Sequence, residues 1–155
     1  RDLHSFPTRR SSDLDVGFGP ENLGVPTDEI WTRVEESLDA VGMLKYRHHS
    51  PNKLSGGQKT SKSIDRSLCV NPEILLLDEP CSALDMKNTI AIEETLLELK
   101  GKYTFVIVTH NLAQAKRIAD QIIFMDQGRV LEVTDTKTFF EHPSSEPARE
   151  QIQYM

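Results

Sequence analysis

Cysteine is scarce in this chain: Cys69 and Cys81 are the only two among 155 residues. Two thiols outside a CxxC pair form no disulfide framework, so both are expected as buried, reduced side chains without a redox or metal role. Long apolar runs are missing too. The longest is about five residues, against the ~20 that a spanning helix requires. No apolar segment follows Arg9 and Arg10, so the pattern of a signal peptide is absent. Basic excess is also lacking: 18 Lys and Arg stand against 24 Asp and Glu, a formal net charge of -6. With no basic stripe, nucleic acid is not an expected partner, and direct adhesion to an anionic bilayer is disfavoured. No internal repeat is visible. What remains is an ordinary globular balance, 37% hydrophobic and 27% charged, in a length suited to one core.

Residues 1–14 show no clean helical or strand period and end in a polar Arg9-Arg10-Ser11-Ser12-Asp13 run. The stretch resembles translated sequencing-adapter sequence and is set apart from the fold, as foreign or as a disordered arm. Pro26-Thr27-Asp28-Glu29 opens a helix, with Thr27 as its cap and two acids where the helix dipole favours them. Ile30, Val34, Leu38 and Val41 then line one face, and Gly42 ends it. A polar loop from Tyr46 to Lys53 follows, in which His48 and His49 read as solvated side chains.

A second helix starts at Ser55 and stops at Asn71-Pro72. Thr60, Ser61, Ser63, Asp65 and Ser67 weaken it. Ile74-Leu75-Leu76-Leu77 reads as a strand buried on both faces. Met86–Lys100 is a third helix with Ile90 and Leu97 toward the sheet, and Tyr103–Val108 a second buried strand. Leu112–Ala119 is a short helix. Gln121–Met125 and Arg129–Val133 flank Asp126-Gln127-Gly128, a hairpin signal. Thr136–Glu141 is a last short helix, with Phe139 and Phe140 in a small core contact, before a polar end. Alternating strands and helices predict an α/β fold with a mainly parallel sheet, a helical lobe beside it and a C-terminal β-hairpin.

Three places carry chemistry. Asp78-Glu79 closes the first apolar strand, at the carboxyl end where ligands of open α/β sheets bind. There Asp78 can hold Mg²⁺ through water, and Glu79 can polarise an attacking water as general base. His110 ends the second strand and can donate to a phosphate oxygen or orient that water. Ser55-Gly56-Gly57 opens a helix, offering backbone N–H groups, a hydroxyl and the positive end of the dipole to a phosphate. Read singly, these are a capped turn, a structural histidine and a glycine-rich cap.

Read in order, they are far more specific. Leu54-Ser55-Gly56-Gly57-Gln58, then Ile74 to Pro80, then Ser82-Ala83-Leu84-Asp85, then Thr109-His110 resembles the ABC ATPase family over most of residues 15–143. The resemblance implies a P-loop NTPase core in two parts: a helical signature subdomain over 15–70, and the half with Walker B, D-loop and switch histidine over 71–155. It implies ATP and Mg²⁺ as cofactors. ATP lies between two nucleotide-binding domains, as homo- or heterodimer. Ser55, Gly56, Gly57 and Gln58 would serve the nucleotide on the partner's P-loop, whereas Asp78, Glu79 and His110 would serve the subunit's own. Asp85 would link the two sites. The implied partners are the second nucleotide-binding domain and transmembrane permease subunits, on the cytoplasmic face of the cell membrane.

Departures from the pattern narrow this expectation. No G-x-x-x-x-G-K-[ST] occurs, since Gly101-Lys102 lacks both the upstream glycine and the Ser or Thr, so the chain is expected not to hydrolyse ATP by itself. Polar residues from Thr60 to Ser67, Asp65 among them, replace the small apolar residues the family carries after its signature. Residues 15–58, through Gly19-Pro20-Glu21-Asn22 and His49-Ser50-Pro51-Asn52-Lys53, look like energy-coupling-factor ATPases of vitamin, cobalt or nickel uptake. From Asn71 on, through Glu79-Pro80-Cys81-Ser82 and Tyr103 to Asn111, the chain looks like the ATPase of the phosphate importer. A mosaic, or a catalytically inactive fragment, is the competing reading. A DNA-repair ATPase of the SMC type is disfavoured, because no sustained heptad repeat accompanies the signature.

Overall fold

The computed structural model describes residues 12–155. The expectation for residues 1–11 therefore lies outside the described residues. Contacts divide the chain into two compact units, with the division between Ile107 and Val108.

In the first unit, helix α1 runs from Ser12 to Asn22, and so begins inside the segment set apart by its sequence. Asp13 is 6% exposed and its N–H donates to the Arg47 carbonyl at 3.0 Å, so the helical lobe includes it. Helix α2 (Thr27–Ala40) buries the predicted stripe Ile30, Val34 and Leu38, with Val41 just beyond its end. Its cap differs from expectation: Pro26 holds the cap position, Thr27 is the first helical residue, and no side chain caps the end. Gly42, at φ +66°, turns the chain out of α2. α1 lies close against α2 because Gly17 has no side chain; a Cβ there would sit 3.2 Å from Cγ2 of Ile30. The loop that follows contains two short 3-10 turns, Leu44–Tyr46 and Pro51–Lys53.

Helix α3 (Gly56–Leu68) is strongly amphipathic despite its serines, and Ile64 and Leu68 are buried. Lys62 is buried beside them and its ammonium meets the Asp15 carboxylate at 2.6 Å, tying α3 to α1. Asn71, at φ 53°, ends the segment.

Strand β1 (Ile74–Asp78), helix α4 (Met86–Leu99) and strand β2 (Thr104–Val108) form a strand–helix–strand unit. The Thr104 N–H donates to the Glu73 carbonyl at 3.3 Å, start of strand against start of strand, so the pair is parallel and α4 is its crossover. Burial departs from the sequence expectation. Leu75 is buried, but Ile74 is 62% and Leu76 70% exposed, and Val106 and Val108 of β2 are also exposed. Two paired strands with cover on one face leave the alternate residues of the other face in solvent. The buried side of α4 is Ile92, Leu96 and Leu99, one helical stripe, while Ile90 and Leu97 point away from it.

The second unit begins with helix α5 (Leu112–Ile118). Strands β3 (Gln121–Asp126) and β4 (Arg129–Asp135) follow as the predicted antiparallel hairpin, Asp126 paired with Arg129. Gln127 and Gly128 both take positive φ, 46° and 73°, as a two-residue turn that matches strand twist demands. A bulge between Phe124 and Met125 shifts the register. Helix α6 (Thr136–Glu141) is capped by Asp135, whose carboxylate accepts from the Thr138 N–H at 2.9 Å. Helix α7 (Glu146–Gln153) forms where the sequence predicts only a polar end. It seats Ala148 in a core with Phe124 and Phe139, with Phe140 and Ile152 packed around them.

Candidate functional site

Leu54 is buried and anchors the turn into α3, and Ser55 takes the extended backbone of an N-cap. The Gln58 N–H donates to Ser55 Oγ at 3.4 Å, and the Ser55 N–H donates to Gln58 Oε1 at 2.9 Å, a reciprocal capping box. This arrangement uses two of the donors at the helix start. The N–H groups of Gly56 and Gly57 make no hydrogen bond among the described residues. They stand with the Ser55 hydroxyl at the positive end of a thirteen-residue helix, a donor set suited to a phosphate oxygen.

Asp78 ends β1 as an exposed carboxylate. No cluster of three or more His, Cys, Asp or Glu forms a metal site among the described residues. Asp78 offers a carboxylate, a hard oxygen donor of the type Mg²⁺ takes. Glu79, half-buried, sits at φ 45°, in the left-handed region that side chains rarely adopt. Such a conformation costs on the order of 1 kcal/mol and concentrates at functional positions. The Ser82 N–H and hydroxyl hold it, donating to the Glu79 carbonyl at 3.2 and 3.1 Å.

Asp85 is an exposed N-cap of α4. Its Oδ1 accepts from the Asn88 N–H and its Oδ2 from the Asn88 side-chain amide, both at 2.9 Å. The structure brings this turn against the start of α3. A Cβ on Gly57 would lie 2.6 Å from Oδ1 of Asn88, and one on Gly56 would lie 3.4 Å from Cδ2 of Leu84. Ser55–Gln58 and Asp85 are therefore neighbours within the first unit. Asn88, which joins them, carries no signal in the sequence: an asparagine three residues after an acidic cap reads as an ordinary first-turn residue.

His110 belongs to the second unit, exposed between β2 and α5. The residues around it are held by local hydrogen bonds. Asn111 caps α5 by accepting from the Gln114 N–H at 3.0 Å, and Thr109 Oγ1 accepts from the Asn111 N–H at 3.1 Å.

Two further side chains matter to the signature helix. Asp65 is 0% exposed, and neither carboxylate oxygen has a hydrogen-bond partner among the described residues; the adjacent Ser37 hydroxyl donates to the Val34 carbonyl at 3.2 Å. Burial pushes the Asp65 carboxyl up to about 7, partly offset by the nearby Ser37 hydroxyl and Lys62 ammonium. Cys69 is buried as expected, and burial pushes its thiol up to about 11. Cys81 is only half-buried, contrary to expectation, because the turn after β1 lies at the surface; neither cysteine forms a disulfide. A cavity of about 340 Å³, lined by Glu29, Arg33, Glu36, Cys69 and Tyr103 among others, contains none of the predicted site residues.

Comparison with known proteins follows the same lines. A family model for ABC transporters matches residues 3–82. The phosphate import ATP-binding protein PstB 1 of Bacillus licheniformis is 43% identical, over 89% of this chain and 55% of the relative. The phosphate import ATP-binding proteins PstB of Idiomarina loihiensis and Pseudoalteromonas translucida are each 46% identical, over 79% and 81% of this chain and 42% and 46% of theirs. The chain spans about half the length of these curated relatives. Coverage this broad also carries the likeness to phosphate-import proteins upstream of residue 71. Among solved structures, an ABC transporter in an inward-facing conformation superposes with a TM-score of 0.79 at 22% identity, over 97% of this chain and 61% of that one. At that identity the match speaks for the α/β fold alone. No helix among the described residues is long and apolar enough to cross a membrane.

Proposed function

The chain belongs to the ABC transporter family, and from that premise we propose that it is the signature-bearing portion of an ATP-binding subunit that energises an importer, with phosphate as the solute. The observation that carries this reading is the start of α3: a capping box that leaves the Gly56 and Gly57 N–H groups without a hydrogen-bond partner among the described residues, beside the Ser55 hydroxyl. These donors bind the γ-phosphate of a nucleotide held on a partner's P-loop. As charge grows on that phosphate during hydrolysis, fixed N–H dipoles stabilise it without reorganising. Gln58 is occupied in the box, so it orients Ser55 rather than contacting phosphate freely.

Asp78, Glu79 and His110 act on the other nucleotide, the one a P-loop in their own subunit would hold. Asp78 would hold Mg²⁺ there through water, and the chemistry the ion would supply is neutralisation of phosphate charge. Glu79 would accept a proton from the attacking water, on a backbone turn held by Ser82. His110 donates to the phosphate. No P-loop motif occurs in this sequence, so these three residues have no nucleotide to act on in the chain by itself. Asp85 connects the two sites, and permease subunits at the inner face of the membrane receive the motion. The phosphate assignment is supported by the names of the relatives, and reading the source DNA upstream of codon 15 for a P-loop and adjoining permease genes tests it.

The signature role is tested by association. The chain is mixed with full-length PstB 1 of Bacillus licheniformis and followed by sedimentation. A complex that forms with ATP, and is lost in Ser55→Arg, is the expected result. No complex, or one indifferent to both ATP and Ser55, would overturn the reading.

A further inference from the structure

Asn88 is used by none of the roles above, yet it touches two of them. Its backbone N–H and side-chain amide occupy both carboxylate oxygens of Asp85, each at 2.9 Å. The opposite side of the same amide closes on Gly57, where a Cβ would lie 2.6 Å from Oδ1, 2.8 Å from Cγ and 3.0 Å from Cβ of Asn88. Gly57 is buried at this contact. Leu84, on the other side of Asp85 in sequence, approaches Gly56. The turn that carries Asp85 therefore grips the signature glycines at two points, with Asp85 between them.

We propose that Asn88 is a positioning residue that fixes Asp85 relative to Gly56 and Gly57, so that phosphate binding at the signature and the link made by Asp85 move as one body. The inference rests on the composite-site reading above. The side chain suits the task. Asparagine offers a donor to Asp85 and a carbonyl oxygen that fills the space Gly57 leaves. Alanine would leave Asp85 with one backbone donor and a gap beside Gly57, and aspartate would set a second negative charge against Asp85.

The test uses the mixed complex with full-length PstB 1 whose own signature serine is replaced, so that turnover depends on this chain. Asn88→Ala is expected to lower kcat about five-fold, equivalent to about 1 kcal/mol, while KM for ATP moves less than about two-fold. Melting temperatures of Asn88→Ala, Gly57→Ala and the double variant read the contact independently of turnover. Gly57→Ala is expected to lower the melting temperature clearly in the parent chain, and distinctly less in the chain that already carries Asn88→Ala. Unchanged kcat in Asn88→Ala, a kcat loss no larger than the loss of folded chain, or additive melting shifts would each overturn the role of Asn88. Absence of turnover with the unsubstituted chain would instead overturn the composite-site reading, and the inference with it.

Discussion

Asp65 is a carboxylate with no hydrogen-bond partner among the described residues, 0% exposed, on the helix that begins with the signature. Its carboxyl titrates at about 7 when folded against an ordinary value of 3.8, so between these pH values the folded chain binds the extra proton. The stability that protonated Asp65 contributes to the first unit is thus fully present below that window and is lost as pH rises through it. The cost above it is on the order of a few kcal/mol. Urea unfolding followed by Trp31, the only tryptophan, is expected to give a higher midpoint at pH 5 than at pH 8. Asp65→Asn should flatten that difference, and Asp65→Leu should raise stability at pH 8; a pH-independent midpoint in the unsubstituted chain would contradict the assignment. The sequence already marks Asp65 as a polar group where packing is expected. It does not reveal that Lys62, one turn earlier, is rescued by Asp15, because that partner comes from a helix whose start reads as foreign sequence. Nor does it reveal Asn88, since spacing along the chain carries no information about which side chain fills the hollow beside a glycine.

The hairpin and its two helices respond to pH in the opposite sense. Glu132 is nearly buried, and burial alone would raise its pKa. Hydrogen bonds from the N–H and hydroxyl groups of Ser144 and Ser145 outweigh that and hold it below its ordinary value. A depressed carboxyl contributes stability above its unfolded value and loses it as pH falls through the folded one. Amide exchange at Ser144 and Ser145, corrected for intrinsic rate, should therefore quicken on acidification below about pH 4. Glu132→Gln should show that faster exchange already at pH 7; protection that ignores both changes would sink the idea. Phe139, 0% exposed, packs its ring 5.6 Å from Phe124 and 5.2 Å from Phe140. Phe139→Ala is expected to destabilise this unit by about 3–5 kcal/mol, read by denaturant titration with exchange as the local probe. The hairpin is legible because Asp126-Gln127-Gly128 is a turn with a stereochemical reason. α7 is not, because two apolar residues, Ala148 and Ile152, make too faint a stripe. Its Pro147, which looks like a breaker, is compatible with a first helical turn.

At the scale of the molecule, order of motifs is more informative than burial. The strand–helix–strand order and the hairpin follow from the sequence, as does the α/β class. The expectation that β1 and β2 are covered on both faces does not hold, since Ile74, Leu76, Val106 and Val108 are exposed. A continuous apolar run encodes cover on both sides, and this chain spans about half the length of its relatives. The uncovered face predicts concentration-dependent self-association. Sedimentation of the double variant Leu76→Lys, Val106→Lys should show less association than the parent, with little change in midpoint of unfolding; equal association would place the sticky surface elsewhere.

In the composite site proposed above, this chain completes an ATP site on a partner and serves none alone. ATP turnover by the purified chain, alone and with full-length PstB 1 whose own signature serine is replaced, measures it most directly. No turnover by the chain alone, and turnover in the mixture that vanishes with Ser55→Arg, are the expected results. Turnover by the chain alone that Glu79→Gln abolishes, or a mixture as inactive as its parts, would contradict it.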